Sequence, residues 1–135
     1  MKLTCEEVID TVKAAYAKGE TPDLRQADLW WVNLNEANLQ GADLSGAYLR
    51  RANLSQANLQ RTNLDKADLS AADLQGADLR RAVLGQADLH NANLCQTDLR
   101  ETDLGEVNLR RAKYNDETRW PTNFDPRQVG AVYQV

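Results

Sequence analysis

The residues that could do chemistry in this chain are few and lie far apart. There is a single histidine, His90, and there are two cysteines, Cys5 and Cys95. Nucleophilic catalysis needs a thiol or hydroxyl beside a base, and we expect no serine, cysteine or carboxylate to be placed in a hydrogen-bonded triad with His90. One histidine and two distant cysteines do not make a tetrahedral zinc site. The sequence therefore predicts no catalytic residue, no metal site and no cofactor, with His90 and Cys95 as exposed surface groups.

The elements that must position these side chains come from an internal repeat. Leucine stands at every fifth residue from Leu24 to Leu109 without a break. A small residue, most often alanine, stands two places before each leucine, and Asp or Asn lies between them in sixteen of the eighteen units. Tyr48 and Val83 are the two exceptions. Such regular repetition is typical of a solenoid in which every unit makes the same bend.

A period of five residues fits neither an α-helix nor a continuous strand. On a helix each step of five turns the leucine by about 140°, which leaves no amphipathic face. On a strand an odd period sends successive leucines to opposite faces. The pattern fits a short extended segment in which the small residue and the leucine point inward and the polar residue between them points outward. The next two residues then form a corner. Each unit is therefore predicted to be a very short strand followed by a bend.

The unit A(D/N)LXX resembles the signature of the pentapeptide-repeat family, and the resemblance covers residues 22–111. It implies an all-β solenoid, a right-handed four-sided β-helix with twenty residues per coil, and hence about four and a half coils. The basic pairs 50–51, 80–81 and 110–111 recur every thirty residues, which a triangular coil of fifteen residues would stack on one side. We predict the twenty-residue coil because of the resemblance, and it places the middle pair opposite the other two.

The N-terminal segment, residues 1–21, is predicted to be a helical cap on the first coil. Thr4 and Glu7 form a capping box, apolar residues recur at helical spacing, and Gly19 ends a helix of about residues 5–18. A cap is needed because an open solenoid end exposes unpaired backbone and the leucine core.

The C-terminal segment, residues 112–135, is predicted to cap the other end. Tyr114, Trp120 and Phe124 are the large side chains that the repeats lack, and we expect them to cluster under the last coil. Asp125 followed by proline is a suitable start for a short terminal helix.

The candidate interaction surface consists of Trp30, Trp31, Arg50 and Arg51. Two adjacent tryptophans after Leu29 point outward in the first coil. Either the N-terminal helix and its connector cover them, or they form a hot spot for a partner. A twenty-residue coil places the two arginines directly below them, where we expect Arg50 to stack on Trp30.

Charge and composition narrow the function. A net charge of −4 argues against direct nucleic-acid binding. The N-terminus is acidic where a secretory signal would be apolar, and no run approaches the roughly 20 apolar residues that span a bilayer. We therefore expect a soluble, cytoplasmic protein that does not enter a membrane.

The resemblance implies one further function, modulation of DNA gyrase or topoisomerase by a protein that mimics the DNA duplex. Residues 22–111 carry thirteen acidic and ten basic side chains. Their coils would span only roughly 20 Å. A duplex mimic needs a long rod with dense negative charge, so mimicry is kept only as the alternative prediction. The favoured prediction is a structural or interaction module, not an enzyme, with a protein partner that the sequence does not name. We expect a monomer or a weak dimer.

Overall fold

The main chain of the computed structural model, which describes all 135 residues, repeats its path every twenty residues. Parallel β-bridges join equivalent residues of successive coils on each of four sides. One bridge from each side is Asp23–Asp43, Asp28–Tyr48, Asn33–Asn53 and Asn38–Asn58. The twenty-residue turn is confirmed, and the triangular coil of fifteen residues is excluded.

Four corners separate the sides, and two of them dominate the surface. We name residues 30–31, 50–51, 70–71, 90–91 and 110–111 the tryptophan corner, and residues 40–41, 60–61, 80–81 and 100–101 the arginine corner. These corners lie half a coil apart, so they are diagonally opposite. Arg61 N–H donates to the carbonyl of Arg80 at 3.1 Å, whereas Arg51 N–H donates to that of Ser70 at 3.0 Å. Arg80 therefore does not lie beneath Arg50.

Each five-residue unit buries its leucine, nearly all units also bury the small residue, and the residue between the two turns outward. Leu64 and Leu69, in the middle coils, have no exposed surface. The outward Asp or Asn accepts a hydrogen bond from the main-chain N–H two residues later, as Asn53 does from Ser55 at 3.0 Å. These bonds hold the bend, which is the local role expected of the repeated Asp and Asn.

The second corner residue of most units has a left-handed backbone although it is seldom glycine. The φ angle is 60° at Trp31 and 59° at Arg51. This conformation is unfavourable for a residue with a Cβ atom. The cost is offset because the N–H of that residue bonds to the next coil, as Trp31 does to the carbonyl of Arg50 at 3.1 Å. Side chains one coil apart consequently leave the corner in the same direction.

The sides are shorter than the strands predicted from the sequence. Because a corner interrupts every unit, each side is reduced to single-residue bridges. Longer strands occur only near the C-terminus, where β1 (Lys113–Tyr114) pairs in parallel with β2 (Val132–Tyr133). Bridges also reach Lys113 and Arg119, so the ladder continues beyond the last repeat unit.

Threonine replaces alanine in the interior without leaving a polar group unpaired. Thr62 is fully buried, and its hydroxyl donates to the carbonyl of Leu39 at 2.9 Å. Thr97 makes the same bond to Leu74 at 2.7 Å. The methyl group packs in the core while the hydroxyl reaches the preceding coil, as the predicted register requires.

The ladder breaks on one side after Val83, which occupies an Asp or Asn slot. Leu84 N–H makes no main-chain hydrogen bond, whereas Leu64 N–H one coil earlier donates to Val83 at 2.7 Å. At the following corner the N–H of Gln86 donates to the carboxylate of Asp65 at 3.2 Å instead of to the next coil. A Cβ atom at Gly85 would clash with that carboxylate oxygen, so a larger residue there would require the Asp65 carboxylate to move.

The N-terminal helix α1 runs from Cys5 to Ala17, one residue short of its predicted end. Thr4 Oγ1 accepts a hydrogen bond from Glu7 N–H at 3.1 Å, and the Glu7 carboxylate accepts one from Thr4 N–H at 2.9 Å. The predicted capping box is therefore present. Val8 and Val12 are buried and belong to the same apolar core as the leucines.

The C-terminal segment contains the predicted aromatic cluster. The Trp120 ring stacks on Phe124 with centroids 5.1 Å apart and meets Tyr114 edge-on at 5.6 Å. The short helix is a single 3₁₀ turn, Pro126–Val129, and the side chain of Asp125 caps it. These rings supply the bulk that leucine and alanine cannot.

Candidate interaction surface

Trp30 and Trp31 follow Leu29 at the tryptophan corner of the first coil. Leu29 is fully buried and anchors the unit. Trp30 N–H lies 3.5 Å from a carboxylate oxygen of Asp28, and Trp31 N–H donates to the next coil. The backbone beneath both indoles is therefore fixed by the coil.

Both tryptophans are exposed, Trp30 by 46% and Trp31 by 61%. Helix α1 does not cover them, because the side chains that it buries, Val8 and Val12, face the leucine core. The sequence left two arrangements open, and the one in which the helix and its connector bury the two tryptophans is therefore not found. Two adjacent exposed indoles mark a surface suited to a partner.

The arginines lie one coil below, but the stacked pair is not the one expected. The guanidinium of Arg51 lies over the Trp31 ring, 4.9 Å from its centroid. Arg50 makes no such contact with Trp30, so that prediction is wrong. Trp31 and Arg51 share the left-handed corner conformation and point the same way, whereas Trp30 lines a neighbouring groove.

A groove of about 580 Å³ opens beside Trp30. Its apolar lining includes Met1 and Leu3 of the N-terminal segment and Tyr48 of the second coil. Leu3 N–H donates to the carbonyl of Asp28 at 2.9 Å, which ties this segment to the solenoid. Tyr48 is 50% exposed. Charged side chains, among them Asp28, also line the groove. Trp30 joins the groove to the tryptophan corner, so aromatic side chains lie on both.

His90 lies on the tryptophan corner, three coils below Trp30, with its ring partly exposed. Its Nδ1 lies 2.8 Å from Oδ1 of Asp88, a contact that was not predicted from the sequence. The cause is the bend, which brings the residue two places after each outward Asp back onto its carboxylate. Asn108 donates to the same oxygen at 3.1 Å. No hydroxyl or thiol bonds to the other ring nitrogen, so the pair lacks a nucleophile.

Cys95 is partly buried rather than fully exposed, and burial raises the pKa of its thiol. A raised pKa keeps the group protonated and less reactive. Cys5 is exposed at the start of α1, and both cysteines are unpaired. No three His, Cys, Asp or Glu side chains converge in a way that could hold a metal ion. The helices are too short or too polar to cross a membrane.

The basic residues of the repeat collect at two edges. Eight of the ten lie at diagonally opposite corners: Arg50, Arg51, Arg110 and Arg111 at the tryptophan corner, and Arg61, Arg80, Arg81 and Arg100 at the arginine corner. Positive side chains are thus concentrated at two of the four corners of the solenoid. A duplex mimic needs continuous negative charge, so this distribution does not favour the DNA-mimic alternative.

Sequence reasoning missed the ion pairs of the arginine corner. The forked guanidinium of Arg80 bonds to both carboxylate oxygens of Asp78, and Arg100 bonds to Asp98 in the same way. These hydrogen bonds lower the pKa of both carboxyl groups. The tripeptide Asp-Leu-Arg was the available signal, since Asp23 and Arg25 form the same pair.

Comparison with known proteins places this geometry in a family. A family profile described as "Pentapeptide repeats" matches residues 22–51, 47–86 and 77–113. No curated protein sequence matches the chain at a significant level.

Many solved structures are similar to the chain, among them the following three. HetL, a pentapeptide repeat protein involved in heterocyst differentiation regulation from the cyanobacterium Nostoc sp. strain PCC 7120, is 37% identical with a TM-score of 0.73. The match covers 85% of this chain and 47% of HetL, so the chain spans about half the length of that relative.

The second is a pentapeptide repeat protein of the Arabidopsis thaliana thylakoid lumen, 28% identical, with a TM-score of 0.58 and coverage of 81% of this chain and 78% of that one. The third is another pentapeptide repeat protein from Nostoc PCC 7120, 35% identical over 94% of this chain and 96% of that one, with a TM-score of 0.43. The fold that these repeats build is the right-handed four-sided β-helix. The five-residue repeat that builds each twenty-residue coil is also the feature that the family profile matches. The chain therefore belongs to the pentapeptide-repeat family.

Proposed function

We propose that the chain is a non-enzymatic interaction module that binds a protein partner through Trp30, Trp31, Arg50 and Arg51. The observation that carries this proposal is the pair of adjacent indoles, exposed by 46% and 61% on a corner whose backbone is held by the coil. Aromatic and arginine side chains dominate the binding energy of protein interfaces.

The corner is ordered before a partner arrives. Trp31 is stacked by Arg51 at 4.9 Å, and the neighbouring groove of about 580 Å³ offers a recess of mixed apolar and charged lining beside Trp30. Binding to such a surface loses little conformational entropy, because the rings and backbone already have fixed positions. Tyr48 extends the same surface toward the second coil.

The absence of an enzymatic role is part of the proposal. The interior is filled by leucine, alanine and threonine, and the one histidine pairs with a carboxylate but with no nucleophile. The similarity to HetL, a protein involved in regulation of differentiation, supports an interaction role. The role of HetL itself is not transferred, because this chain spans about half of it.

The test is a double substitution with residues that the chain already uses at the same positions. Trp30→Ser with Trp31→Gln places serine first and glutamine second in the corner, as at Ser55 and Gln56. We expect unchanged folding by circular dichroism and at least a tenfold loss of affinity for the partner identified by crosslinking to the wild type.

The matched control changes the same corner four coils away, Arg110→Ser with Arg111→Gln. It is expected to keep the affinity of the wild type. Equal loss of binding in both double variants, or no loss in the tryptophan variant, would show that the partner docks elsewhere.

A gyrase supercoiling assay separates this proposal from the DNA-mimic alternative. We expect no inhibition at stoichiometric concentrations of the purified protein. Inhibition at that level would favour the mimic.

Three further features belong to the same proposal. Residues 1–21 and 112–135 act as caps on the β-helix of residues 22–111, which has about four and a half coils. The capped solenoid is a monomer or a weak dimer, which sedimentation would check. The cytoplasmic location is checked by fractionation of cells that express the tagged protein.

A further inference from the structure

A second groove, of about 500 Å³, lies along the arginine corner, diagonally opposite the tryptophans. Arg61, Arg80, Arg81 and Arg100 line it on three successive coils, together with Trp120. The N–H of Arg61 donates to the carbonyl of Arg80 at 3.1 Å, and that of Arg81 to the carbonyl of Arg100 at 3.3 Å. These main-chain bonds place the arginines at three levels, each one coil apart. Four guanidinium groups therefore occupy about 10 Å of the solenoid axis.

Two of these guanidinium groups are held in place by carboxylates of their own coils. Nε and Nη2 of Arg80 bond to Asp78 at 2.9 and 2.7 Å, and the same atoms of Arg100 bond to Asp98 at 2.9 and 2.7 Å. Asp98 also lies 3.7 Å from Nε of Arg80, which links the two levels. No hydrogen bond uses Nη1 of either arginine, so rigidly placed donors remain available.

The other two arginines leave the groove positive. Arg81 pairs with Glu101 on the next coil, whereas Arg61 makes no ion pair. With Asp78 and Asp98 included, four positive groups face three negative ones. One cation is therefore unneutralised within a row of fixed donors.

We propose that the arginine corner binds a phosphate-type dianion between Arg61 and the free Nη1 groups of Arg80 and Arg100. A ligand with a single carboxylate would have to compete for the arginines with the three carboxylates that already bind them, and it has no advantage in charge over any of these. A phosphate group brings nearly two charges and three acceptor oxygens, which can accept from the guanidinium groups of successive coils together. The planar fork of arginine suits this contact. The site is independent of the tryptophan corner and of the partner proposed there.

The experiment follows the arginine and Trp120 indole signals of the ¹⁵N-labelled full chain by NMR. The chain is titrated with inorganic phosphate, with a peptide bearing one phosphoserine, and with the same peptide bearing glutamate instead. We expect saturable shifts at this corner with the phosphate ligands and roughly tenfold weaker binding by Arg61→Gln. Glutamine occupies the equivalent left-handed corner position at Gln56, so the variant should fold.

Arg111→Gln is the matched control, because Arg111 has the same corner position and no ion pair but lies at the tryptophan corner. It is expected to bind as the wild type does. Phosphopeptide affinity should also fall below about pH 6, where the ligand loses its second charge. A purely structural role for Arg61 would produce no such dependence.

The outcomes separate the sources of the ligand. Phosphopeptide binding that is tenfold tighter than inorganic phosphate supports a phosphorylated segment, and equal affinity supports a free phosphate. Equal binding of the glutamate peptide overturns the preference for a dianion. Lack of saturable shifts with either phosphate ligand, or equal weakening by the control variant, overturns the site.

Discussion

Between residues 42 and 82 the units of the solenoid repeat nearly the same contacts, whereas the segments before residue 22 and after residue 111 lack the leucine spacing and only extend the ladder by a few bridges. In the interior, leucine and a small residue are buried and the residue between them turns outward. At the ends, valines of α1 and the ring of Trp120 pack against the same core. A repeat can bury its apolar face only against another copy of itself, so the ends need side chains of other shapes.

A second contrast lies within the repeat. On most sides the ladder is continuous, but it breaks after Val83, where the outward slot lacks an Asp or Asn acceptor. Asp65 then bonds to the N–H of Gln86 across the corner. The missing acceptor is not sufficient for the break, because Tyr48 also lacks one and its bridge to Asp68 is kept.

The largest expected effect is a loss of stability when a core leucine is shortened, and it should be larger in the interior than on the side where the ladder breaks. Leu64→Ala should cost about 2 to 5 kcal/mol in the free energy of unfolding, because coils on both sides hold the cavity open. Leu104→Ala should cost less than about 2 kcal/mol, since Leu104 is 5% exposed beside the break and its surroundings can relax. Urea denaturation measures both, and equal losses would remove the distinction.

The next effect tests whether α1 caps the first coil. Val12→Asp places an unpaired carboxylate in the core at a cost of roughly 2 kcal/mol or more, so the helix should detach and the open coil should associate. Circular dichroism follows the detachment of the helix, and light scattering follows the association of the open coil. Ala14→Asp, on the exposed face of α1, is the control. A helical, monomeric Val12→Asp variant would contradict the capping role.

A smaller effect concerns pH at the arginine corner. Hydrogen bonds from Arg100 lower the pKa of Asp98 below its ordinary value of 3.8. A lowered pKa in the folded state means that the ion pair stabilises fully above the ordinary value and is lost as the pH falls through the lowered one.

The measurement for this prediction is urea denaturation between pH 7 and pH 2. Asp98→Asn keeps an acceptor for the N–H of Arg100 and should lose up to about 1 kcal/mol near neutral pH, because the arginines are well exposed. Its stability should approach that of the wild type at the acidic end. A constant difference between the two proteins would exclude a contribution from the ionised pair.

The smallest effect tests the tryptophan corner. Arg51→Gln should shift the fluorescence of Trp31 and cost roughly 0.5 to 1 kcal/mol, the range for an exposed cation–π pair. Arg80→Gln, at the opposite corner, should leave that fluorescence unchanged. If Arg50→Gln shifted the emission more than Arg51→Gln, the assignment of the stacked pair would be wrong.

Much of the fold could be predicted because it depends on local rules. The inward leucines, the outward Asp and Asn, the capping box at Thr4 and the hydroxyl bond of Thr62 all follow from residue type and spacing. The pairing of Arg51 with Trp31 could not be predicted in the same way. It depends on which of two adjacent corner side chains turns toward the next coil and which turns toward the groove.

The sequence by itself determined the repeating unit, because a small residue, a bend-forming polar residue and a leucine at fixed spacing allow one local conformation to recur. The resemblance of that unit to a known family supplied the twenty-residue turn. Only the tertiary structure decided which side chains meet across coils. It assembled the arginine corner from residues twenty positions apart, left both tryptophans uncovered and broke the ladder after Val83. These outcomes depend on contacts between distant units, and the pattern of a single unit does not specify them.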